Sequence, residues 1–446
     1  MQINPIIFKS YDVRGIYPSE LNEEAAFAIG QAFIQHTRAK KVAVGRDMRL
    51  SSPQLHQALI KGILSQGADV FDMGEVVVDL LYFSVGFYKY DAGVMVTASH
   101  NPKEYNGLKM IKRKGDAVFM IRGTDIGDSV VKGNFKESAK KGILQEINPW
   151  QDYISRALSI VDIGEIKPLK VVVDSGNGMT GKMIPMVEKK LPIKIIPLNF
   201  KLDGNFPAHP SNFLVPGAAD QVSEKIKEEK ADCGFIFDGD GDRMRLLDEN
   251  GKLIDGDISL MFLSKYFLKK NPGLAIPHTV PCSRALPEWI KKLGGKPIRV
   301  AVGFVNVQAA LIKNKGLMGG EHPSSHYCFK NNFYGDSGLM AFLLLLDIVS
   351  TSGKKPSEMV KEAYHYFRIP ETNFTVSDKQ GMIDKIKEKY SDGKQDFLDG
   401  ITVDYKDWWF NVRASNTEPL LRLNIEANTK ELLEEKKKEL TGLITK

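Results

Sequence analysis

The sequence lacks the features that mark several classes of protein. It has three cysteines in 446 residues and no Cys-x-x-Cys pair, which argues against a disulfide framework or a cysteine zinc site. The first residues show no signal-peptide pattern. The most apolar run, LMAFLLLLDIV from Leu339, is too short to span a bilayer and contains Asp347. These absences predict a cytoplasmic protein without a membrane partner.

A large excess of either charge is also missing. The 61 basic and 55 acidic residues leave a formal net charge of +6, which does not indicate a nucleic-acid partner. Hydrophobic residues make up 43% of the chain and charged residues 26%, as in a globular protein with well-formed cores. Basic side chains remain available for a small anionic ligand. The length is enough for about three domains, or four small ones.

What the chain does have is a recurring pattern of a basic residue, a short β-branched strand and a Gly or Asp turn. The pattern occurs in KKVAVGRD from Lys40, LKVVVDSGNG from Leu169 and IRVAVGF from Ile298. Amphipathic helix patterns lie between these strands, and the alternation is typical of parallel α/β layers. After about Ile369 the pattern changes. The sequence therefore predicts three related α/β units followed by an α+β tail.

The segment GFIFDGDGDRMR places Asp238, Asp240 and Asp242 after an apolar strand, with glycines between them. Glycine lets the backbone curl tightly, so three carboxylates can converge on one hard cation. An EF-hand loop does not fit, because Arg243 stands where the turn glycine is needed and a strand precedes the loop. A solvated Asp-Gly turn is the alternative. Since three unneutralised carboxylates would repel one another, the pattern favours a divalent metal site.

Two further segments contain residues suited to phosphate. DSGNGMTGKM has Gly176, Gly181 and Lys182 at P-loop spacing, but Met183 stands where a P-loop needs Ser or Thr, so a tight strand-to-helix turn is the preferred interpretation. VRASNTEPLLRLN brings guanidinium, hydroxyl and amide donors around one turn, as a phosphate dianion requires. A capped turn with a surface arginine explains this second segment equally well. Its polar residues are Arg413, Ser415, Asn416, Thr417 and Arg422.

Five motifs in order along the chain resemble the α-D-phosphohexomutase family, in its phosphomannomutase/phosphoglucomutase branch. They are KSYDVRG at Lys9, VTASHNP at Val96, DGDGDR at Asp238, GGEHPSSHY at Gly319 and RASNTEP at Arg413. The resemblance covers nearly the whole chain. It implies three related α/β domains with mixed or parallel sheets and a C-terminal α+β domain around a central cleft. The implied domains carry the phosphoserine, the metal site, the sugar-recognition residues and the distal phosphate site, at residues 1–148, 149–250, 251–368 and 369–446.

The resemblance also implies roles for individual residues. Ser99 would carry a phosphoryl group between turnovers, and Mg²⁺ would be held by Ser99, Asp238, Asp240 and Asp242. Lys109 would act as general base and acid with Arg14 and His100 beside it, which near neutral pH requires burial or cationic neighbours that lower its pKa. Substrate contacts would come from Tyr11, Arg243, Arg284, Glu321, Ser324, Ser325 and His326, and the phosphate pocket from Arg413, Ser415, Asn416, Thr417 and Arg422.

The implied reaction interconverts a hexose 1-phosphate and its 6-phosphate through a hexose 1,6-bisphosphate, which also primes the enzyme. The sugar stays open between mannose, glucose and glucosamine. Pro323 and one extra residue alter the family's sugar loop, and Phe304 stands where many mannose-active members have histidine. A phosphoglucosamine mutase of the same family, a P-loop nucleotide hydrolase and a non-catalytic phosphosugar- or calcium-binding module are the alternatives. We expect a phosphosugar partner, neither nucleic acid nor membrane, and a monomer or weak homodimer.

Overall fold

A computed structural model describes residues 3–415 and 420–445, and in it the chain forms two compact units. Unit 1 consists of Met1–Ile254 and His326–Ser357, and unit 2 consists of Asp255–Ser325 and Glu358–Lys446. Each unit is therefore built from two separate stretches of sequence. The four domains expected from the motifs are a finer division, and their boundaries stay a prediction.

The first part of unit 1 is a mixed seven-stranded sheet with helices packed against it. Its elements are β1 (Val13–Ile16), α1 (Glu23–Thr37), β2 (Lys41–Arg46), α2 (Ser52–Ser65), β3 (Asp69–Glu75), α3 (Val78–Phe87), β4 (Ala92–Val96), β5 (Tyr105–Lys114), β6 (Ala117–Ile121), α4 (Gly123–Lys132) and β7 (Leu144–Glu146). The strand order is β1-β5-β4-β2-β3-β7, and β6 also pairs with β5. β2 is parallel to β3 and β4, whereas β5 is antiparallel to β4.

Local signals explain where the elements of this sheet begin and end. The Asn22 side chain caps α1 by accepting a hydrogen bond from the Ala25 amide at 3.0 Å. The helix ends at Arg38, whose φ of 55° is left-handed. All five residues of β4 are buried, as expected for an apolar strand covered on both faces. The loop that follows β4 therefore starts from a rigid, buried position.

The second part of unit 1 is a four-stranded sheet. Its elements are α5 (Trp150–Leu158), β8 (Leu169–Asp174), α6 (Thr180–Glu188), β9 (Ile193–Leu198), α7 (Asp220–Glu229), β10 (Cys233–Phe237) and β11 (Met244–Leu247). The strand order is β11-β10-β8-β9. β8 is parallel to β9 and β10, and β11 is antiparallel to β10. The acidic loop is the short turn between β10 and β11.

Unit 2 begins with a further α/β arrangement. Its elements are α8 (Gly256–Lys270), β12 (Ala275–Thr279), α9 (Ala285–Lys292), β13 (Lys296–Val300), α10 (Phe304–Lys313) and β14 (Met318–Gly320). β12 lies between β13 and β14 and is parallel to both. All three recurrences of the strand pattern are confirmed as strands. β2 and β8 lie inside their sheets, whereas β13 is paired with a single strand and lies at the sheet edge.

The chain then returns to unit 1 with β15 (Tyr327–Phe329) and α11 (Gly338–Ser352). The helix contains the longest apolar run of the sequence. Ser337 caps it by accepting a hydrogen bond from the Met340 amide at 3.0 Å. Phe342 packs edge-on against Phe235 of β10, with ring centroids 4.8 Å apart. The apolar run is therefore a core helix, and within residues 3–415 and 420–445 no helix is long and apolar enough to cross a membrane.

The C-terminal part of unit 2 is an antiparallel sheet with helices on it. Its elements, preceded by α12 (Pro356–Ala363), are β16 (Phe367–Arg368), β17 (Thr372–Thr375), α13 (Lys379–Lys389), β18 (Lys394–Asp396), β19 (Ile401–Asp404), β20 (Trp408–Ala414), β21 (Leu420–Ala427) and α14 (Lys430–Ile444). The strand order is β16-β21-β20-β19-β18, and β17 also pairs with β21. Apolar residues of the sheet and of α13 and α14 form one core. The predicted α/β class and the α+β tail are both confirmed.

Candidate active site

Ser99 lies in the loop that follows β4. Its side chain is buried, and its backbone φ of 51° is left-handed. The hydroxyl donates to Asp238 Oδ2 at 3.0 Å, and it lies 3.3 Å from both Arg243 Nη2 and His100 Nδ1. The Ser99 amide donates to Thr97 Oγ1 at 2.9 Å. The fold therefore brings the serine and the acidic loop together, although they are far apart in the sequence.

The acidic loop is wound so that its three carboxylates face one another. Oxygen atoms of Asp238, Asp240 and Asp242 lie within 4.8 Å of one another, and all three side chains are buried. A Cβ at Gly239 would come within 2.8 Å of the Ser99 carbonyl oxygen. Gly239 is therefore required by the close approach of the two loops.

The donor set of this cluster fits a divalent cation. Asp240 Oδ1 and Asp242 Oδ1 are buried and have no hydrogen-bond partner in the part of the chain that is described. Lys109 Nζ lies 2.9 Å from Asp240 Oδ2 and 2.5 Å from Asp242 Oδ2, and Arg243 pairs with Asp238 at 2.8 Å. Buried carboxylate oxygens are costly when unpaired, and they are the ligands that hard divalent ions prefer.

The environment separates the pKa values of these groups. Burial raises the pKa of Asp238 to about 7, although Arg243 opposes the shift. Burial alone would also raise the pKa of Asp242, but Lys109 leads a set of cations that lower it. Burial would lower the pKa of Lys109, yet Asp240 and Asp242 outweigh it and raise the pKa. These carboxylates therefore favour the ammonium form of Lys109, and the lowered pKa that general base catalysis requires stays an expectation.

Other residues named from the first two motifs lie around the same loop. Arg14, in β1, donates to the Ala98 carbonyl oxygen at 2.7 Å and pairs with Asp12 at 2.8 Å. Burial and the neighbouring cations hold the pKa of His100 well below its usual value, so its ring is neutral. Tyr11 lies two residues before β1 and is half-buried. Arg14 and His100 thus meet the Ser99 loop through its backbone and its hydroxyl.

His326 belongs to unit 1, and its ring is fixed by a residue that the sequence analysis missed. Nδ1 lies 2.6 Å from Asp336 Oδ2, and the His326 backbone forms a bridge with that of Arg243. Burial would lower the pKa of His326, but Asp242 and Asp336 outweigh it and the pKa is raised. Asp336 stands in GDSGLM, a segment whose pattern does not indicate this site, so its contact with His326 depends on tertiary packing.

In unit 2 the loop after β14 carries Glu321, Ser324 and Ser325. Glu321 and Ser325 are buried, and the Ser325 amide donates to the Glu321 carbonyl oxygen at 3.1 Å. A Cβ at Gly256, the first residue of α8, would come within 2.5 Å of the Ser325 hydroxyl. The Ser324 hydroxyl is buried and, among the residues described, has no hydrogen-bond partner. The two serines therefore differ, since Ser325 packs against α8 and Ser324 has unused hydrogen-bonding capacity.

Arg284 makes contacts that its motif did not indicate. Its guanidinium donates to the carbonyl oxygens of Tyr405 and Lys406, both at 3.1 Å, and pairs with Asp404 at 2.6 Å. Its backbone amide donates to Glu426 at 3.1 Å. These contacts join the start of α9 to the turn between β19 and β20. A substrate contact by Arg284 stays a prediction, and these hydrogen bonds give it no support.

Two of the distal phosphate candidates, Arg413 and Arg422, lie on β20 and β21. Arg413 and Arg422 face each other across the two strands, and both pair with Glu371, at 2.7 Å and 3.3 Å. Arg422 Nη2 also lies 3.3 Å from Ser415 Oγ. The fold therefore brings these three predicted residues together. Two other predicted residues, Asn416 and Thr417, lie outside the described residues.

Glu371 is the second residue that the sequence analysis missed. Besides both arginines, it accepts a hydrogen bond from Asn424 Nδ2 at 3.2 Å. Its side chain is 11% exposed, so the carboxylate is largely withdrawn from water. A single glutamate before a short strand carries no recognisable motif.

The P-loop alternative is not supported by the position of Lys182. The side chain donates to the Glu75 carbonyl oxygen at 3.0 Å and lies over the Trp150 ring, 5.6 Å from its centroid. The glycine-rich segment is a turn between β8 and α6. The preferred interpretation, a tight strand-to-helix turn, is confirmed.

Comparisons with known proteins agree with the motifs. Profiles of the phosphoglucomutase/phosphomannomutase family match the chain for alpha/beta/alpha domains I, II and III at residues 5–132, 151–251 and 255–367, and for the C-terminal domain at residues 371–443. Phosphomannomutases of Vibrio cholerae and Methanocaldococcus jannaschii are 35% and 36% identical over 98% and 99% of this chain and 98% of each relative. The crystal structure of a phosphoglucomutase/phosphomannomutase family protein from Burkholderia thailandensis superposes with a TM-score of 0.90 at 32% identity, covering 99% of this chain and 97% of that one. The chain therefore belongs to the phosphoglucomutase/phosphomannomutase family.

Proposed function

We propose that the protein is a phosphohexomutase that interconverts the 1-phosphate and 6-phosphate of mannose, glucose or both. The observation that carries the proposal is the buried Ser99 hydroxyl, which lies 3.0 Å from Asp238 in a cluster of three converging carboxylates. A hydroxyl enclosed by carboxylates and cations fits a nucleophile that carries a phosphoryl group. Family membership supports the same reaction class.

In the proposed reaction Ser99 begins as a phosphoserine. The bond between phosphorus and Ser99 Oγ breaks as phosphorus bonds to the free sugar hydroxyl oxygen, whose proton passes to a base of the site. The products are a hexose 1,6-bisphosphate and a Ser99 alkoxide that takes up a proton. In the second transfer, Ser99 Oγ loses its proton to a base of the site and bonds to the other phosphorus. The bond between that phosphorus and the sugar oxygen breaks, the sugar oxygen takes up a proton, and the isomeric monophosphate is formed. Free hexose 1,6-bisphosphate would also prime an enzyme that has lost its phosphoryl group.

The residues around Ser99 divide the remaining tasks. Lys109 is the group that we assign to proton transfer, as general base and acid, because it lies beside the acidic loop in the Ser99 region. Binding of a cation by Asp240 and Asp242 would offset their charge and lower the pKa of Lys109. His326, fixed by Asp336, would contact the sugar. Arg243, 3.3 Å from the Ser99 hydroxyl, is placed to hold phosphoryl oxygens. Arg14 holds the loop through the Ala98 carbonyl oxygen and adds a positive charge beside it. His100 is part of the loop and adds a neutral ring next to Ser99.

The three aspartates and an oxygen of phospho-Ser99 would hold Mg²⁺. Bound there, the ion would neutralise charge on the transferring phosphoryl group, where positioning and electrostatics supply most of the catalysis. The buried, unpartnered oxygens of Asp240 and Asp242 support this assignment.

Residues of unit 2 would recognise the substrate. We assign Glu321 and Ser324 to the sugar hydroxyls, because Ser325 is packed against α8. The phosphate that does not react would be held by Arg413, Ser415 and Arg422, with Asn416 and Thr417 as expected from the motif. Since the bisphosphate must turn around between the two transfers, the phosphates at both ends of the sugar would bind in turn to these same residues.

The family profiles support the four-domain division, with boundaries near residues 148, 250 and 368.

We also propose that the protein acts in the cytoplasm as a monomer or weak homodimer. Its three cysteines are free and buried, which a reducing compartment allows.

The Ser99→Ala substitution tests the proposal. Intact-mass analysis should find one phosphate on the wild-type protein after incubation with a hexose 1,6-bisphosphate, and none on the variant. Mutase kcat should fall by at least about a thousandfold, because the covalent carrier is lost. Ser129→Ala, an exposed serine in α4, is the control and should keep full activity. Wild-type turnover by Ser99→Ala would remove the phosphoserine from the mechanism.

The sugar is decided by a side-by-side assay of mannose, glucose and glucosamine 1-phosphates. A clear preference for glucosamine 1-phosphate would favour the phosphoglucosamine mutase alternative. ATP hydrolysis that depends on Lys182 would favour the nucleotide hydrolase, and phosphosugar binding without turnover would favour a non-catalytic module.

A further inference from the structure

Arg49 is a buried residue of unit 1 that forms hydrogen bonds with the backbone of the Ser99 loop. The residue is 1% exposed. Nη2 donates to the carbonyl oxygens of Ser99 at 2.8 Å and Asn101 at 2.7 Å, and Nη1 donates to those of Pro102 at 2.8 Å and Tyr105 at 3.0 Å. One guanidinium therefore holds four carbonyl groups within residues 99–105.

The guanidinium is itself held in place. Arg49 Nε lies 3.2 Å from Asp47 Oδ2, and the Arg49 amide donates to Asp47 Oδ1 at 3.0 Å. Ser52 donates to the same oxygen at 2.5 Å. The Phe206 ring covers the guanidinium, with its centroid 5.0 Å from Cζ. Asp47 and Phe206 thus hold the Arg49 guanidinium in place independently of its contacts with the Ser99 loop.

The loop needs such support because Ser99 has a φ of 51°, a conformation that residues other than glycine seldom adopt. A left-handed serine persists only when its surroundings determine it. The Ser99 carbonyl group points to Arg49, while its hydroxyl points to Asp238 at 3.0 Å. Because the carbonyl group and the side chain belong to the same residue, the position of the Arg49 guanidinium affects the direction of the Ser99 hydroxyl.

We propose that Arg49 is a positioning residue for phosphoryl transfer, which sets the direction of the Ser99 side chain by holding the carbonyl groups of its loop. The inference rests on the proposed role of Ser99. Arginine suits this task because its planar fork offers five N–H donors, whereas lysine offers three donors on a single atom. Arg49→Lys should keep the charge beside Asp47 and lose the simultaneous grip on four carbonyl oxygens.

Arg113 provides a matched control. It lies on β5 and donates to the carbonyl oxygens of Tyr90 at 2.8 Å, Lys89 at 3.2 Å and Gly115 at 3.4 Å. It is therefore an arginine that donates to several backbone carbonyl groups in the turns beside the same sheet, outside the Ser99 loop. Arg113→Lys measures what the loss of such contacts does to stability alone.

The experiment compares Arg49→Lys and Arg113→Lys with the wild type. For Arg49→Lys we expect kcat to fall by about 10-fold to 100-fold, because a displacement of about 1 Å can cost 10²-fold in a transfer reaction. KM for the hexose 1-phosphate should change less than about threefold, since Arg49 is not a substrate contact. Amide hydrogen exchange at residues 98–105 should become faster in Arg49→Lys and stay unchanged in Arg113→Lys.

Chemical rescue gives a second measurement. Guanidinium ion added to Arg49→Ala should restore part of kcat and slow the exchange of residues 98–105, because the ion can occupy the vacated position. If Arg49→Ala does not fold, Arg49→Lys still carries the test. The proposal is overturned if kcat and loop exchange are unchanged in Arg49→Lys, or if Arg113→Lys loses as much kcat at the same change in Tm. If the wild type has no mutase activity, the proposed function fails, while hydrogen exchange still decides whether Arg49 orders the loop.

Discussion

The Ser99 region and the Arg413 region both offer groups for phosphate, but their charge balances are opposite. Around Ser99, three buried aspartates outnumber Lys109 and Arg243, which pair with them. Around Arg413, two arginines share one carboxylate, Glu371. An acid-rich cluster can take up a metal ion and a reacting phosphoryl group, whereas a cation-rich cluster holds a phosphate directly. With the roles that we propose, the reacting and the non-reacting phosphate would be bound by different chemistry.

The two regions also differ in how they are built. The Ser99 region depends on the close approach of two loops, which leaves no room for a side chain at Gly239. The Arg413 region is built on two paired strands, where Arg413 and Arg422 occupy facing positions. A small displacement should therefore cost more in the first region than in the second.

Among changes to the charged residues of the two regions, the largest effect should come from Asp240→Asn in the acid-rich cluster. The change keeps the shape of the side chain and removes one anionic ligand, so affinity for Mg²⁺ should fall. We expect kcat to drop by about 100-fold or more, because a bound metal contributes several kcal/mol to stabilising transition-state charge. The measurement is kcat against Mg²⁺ concentration.

Asp248→Asn, in the turn after β11, is the control for Asp240→Asn, because it alters a buried aspartate outside the cluster. Full activity of chelator-treated wild type without added metal would show that the acidic cluster serves another purpose.

Arg413→Ala should have the next largest effect, on the cation-rich side. A hydrogen bond to a charged group is worth roughly 1.5–3 kcal/mol, so kcat/KM should fall about tenfold to a hundredfold. The loss in kcat/KM should be equal for the 1-phosphate and the 6-phosphate, because the non-reacting phosphate would bind to the same residues in both directions of the reaction. Mg²⁺ dependence should be unchanged. No loss with either substrate would return RASNTEP to a capped turn with an arginine.

Glu371→Gln should make the cation-rich group around Arg413 more positive. With Arg413 and Arg422 contributing +2 and Glu371 contributing −1, the change raises the formal charge from +1 to +2. KM for hexose 1-phosphate should fall about threefold to tenfold, and kcat should fall with it as the product leaves more slowly. Asp396→Asn, which removes the carboxylate paired with Arg299 at 3.2 Å, is the control. A rise in KM would mean that Glu371 chiefly holds the arginines in position.

The smallest effect concerns stability rather than turnover, at a buried pair of unit 1 outside the acidic cluster. His209 Nε2 lies 3.2 Å from Asp174 Oδ2. Burial would lower the pKa of His209, but the hydrogen bond and charge of Asp174 outweigh it, and the pKa is raised. Charged His209 therefore stabilises the folded protein below the unfolded pKa of about 6.5, and this contribution is lost as the pH rises through the folded value.

His209→Gln should consequently lower stability more at pH 5.5 than at pH 8.5, by about 1 kcal/mol at most, with urea unfolding at both values as the measurement. His36→Gln, in the exposed part of α1, is the control. An equal loss at the two pH values would show that His209 packs without carrying charge.

The sequence predicted the parts of the site that are encoded by short motifs. Ser99 and the three aspartates stand in two segments, each with glycines or a turn after an apolar strand, and the fold brings these segments together. The strand-to-helix turn at Lys182 and the α+β tail also followed from local patterns. Local patterns sufficed here because each depends on residues that are neighbours in the chain.

Other parts of the site depend on partners far away in the sequence. Asp336 fixes His326, Arg49 holds the Ser99 loop and Glu371 lies between two arginines, and no spacing marks any of these contacts. The raised pKa of Lys109 was missed for the same reason, because it depends on how closely Asp240 and Asp242 approach. The contacts of Arg284 with the turn between β19 and β20 are likewise a result of packing.

The division of unit 1 into two stretches has a consequence for synthesis on the ribosome. Residues 255–325, which belong to unit 2, emerge before the segment that returns to unit 1. Until α11 is made, Phe235 lacks Phe342, and Asp79 lacks the hydroxyl of Ser337 that donates to it at 2.7 Å. The nascent chain therefore exposes an apolar surface and a buried-type carboxylate while part of unit 2 is already translated. The site around Ser99 can therefore be completed only after residues 326–357 have left the ribosome, and until then the exposed apolar surface makes the chain prone to aggregation.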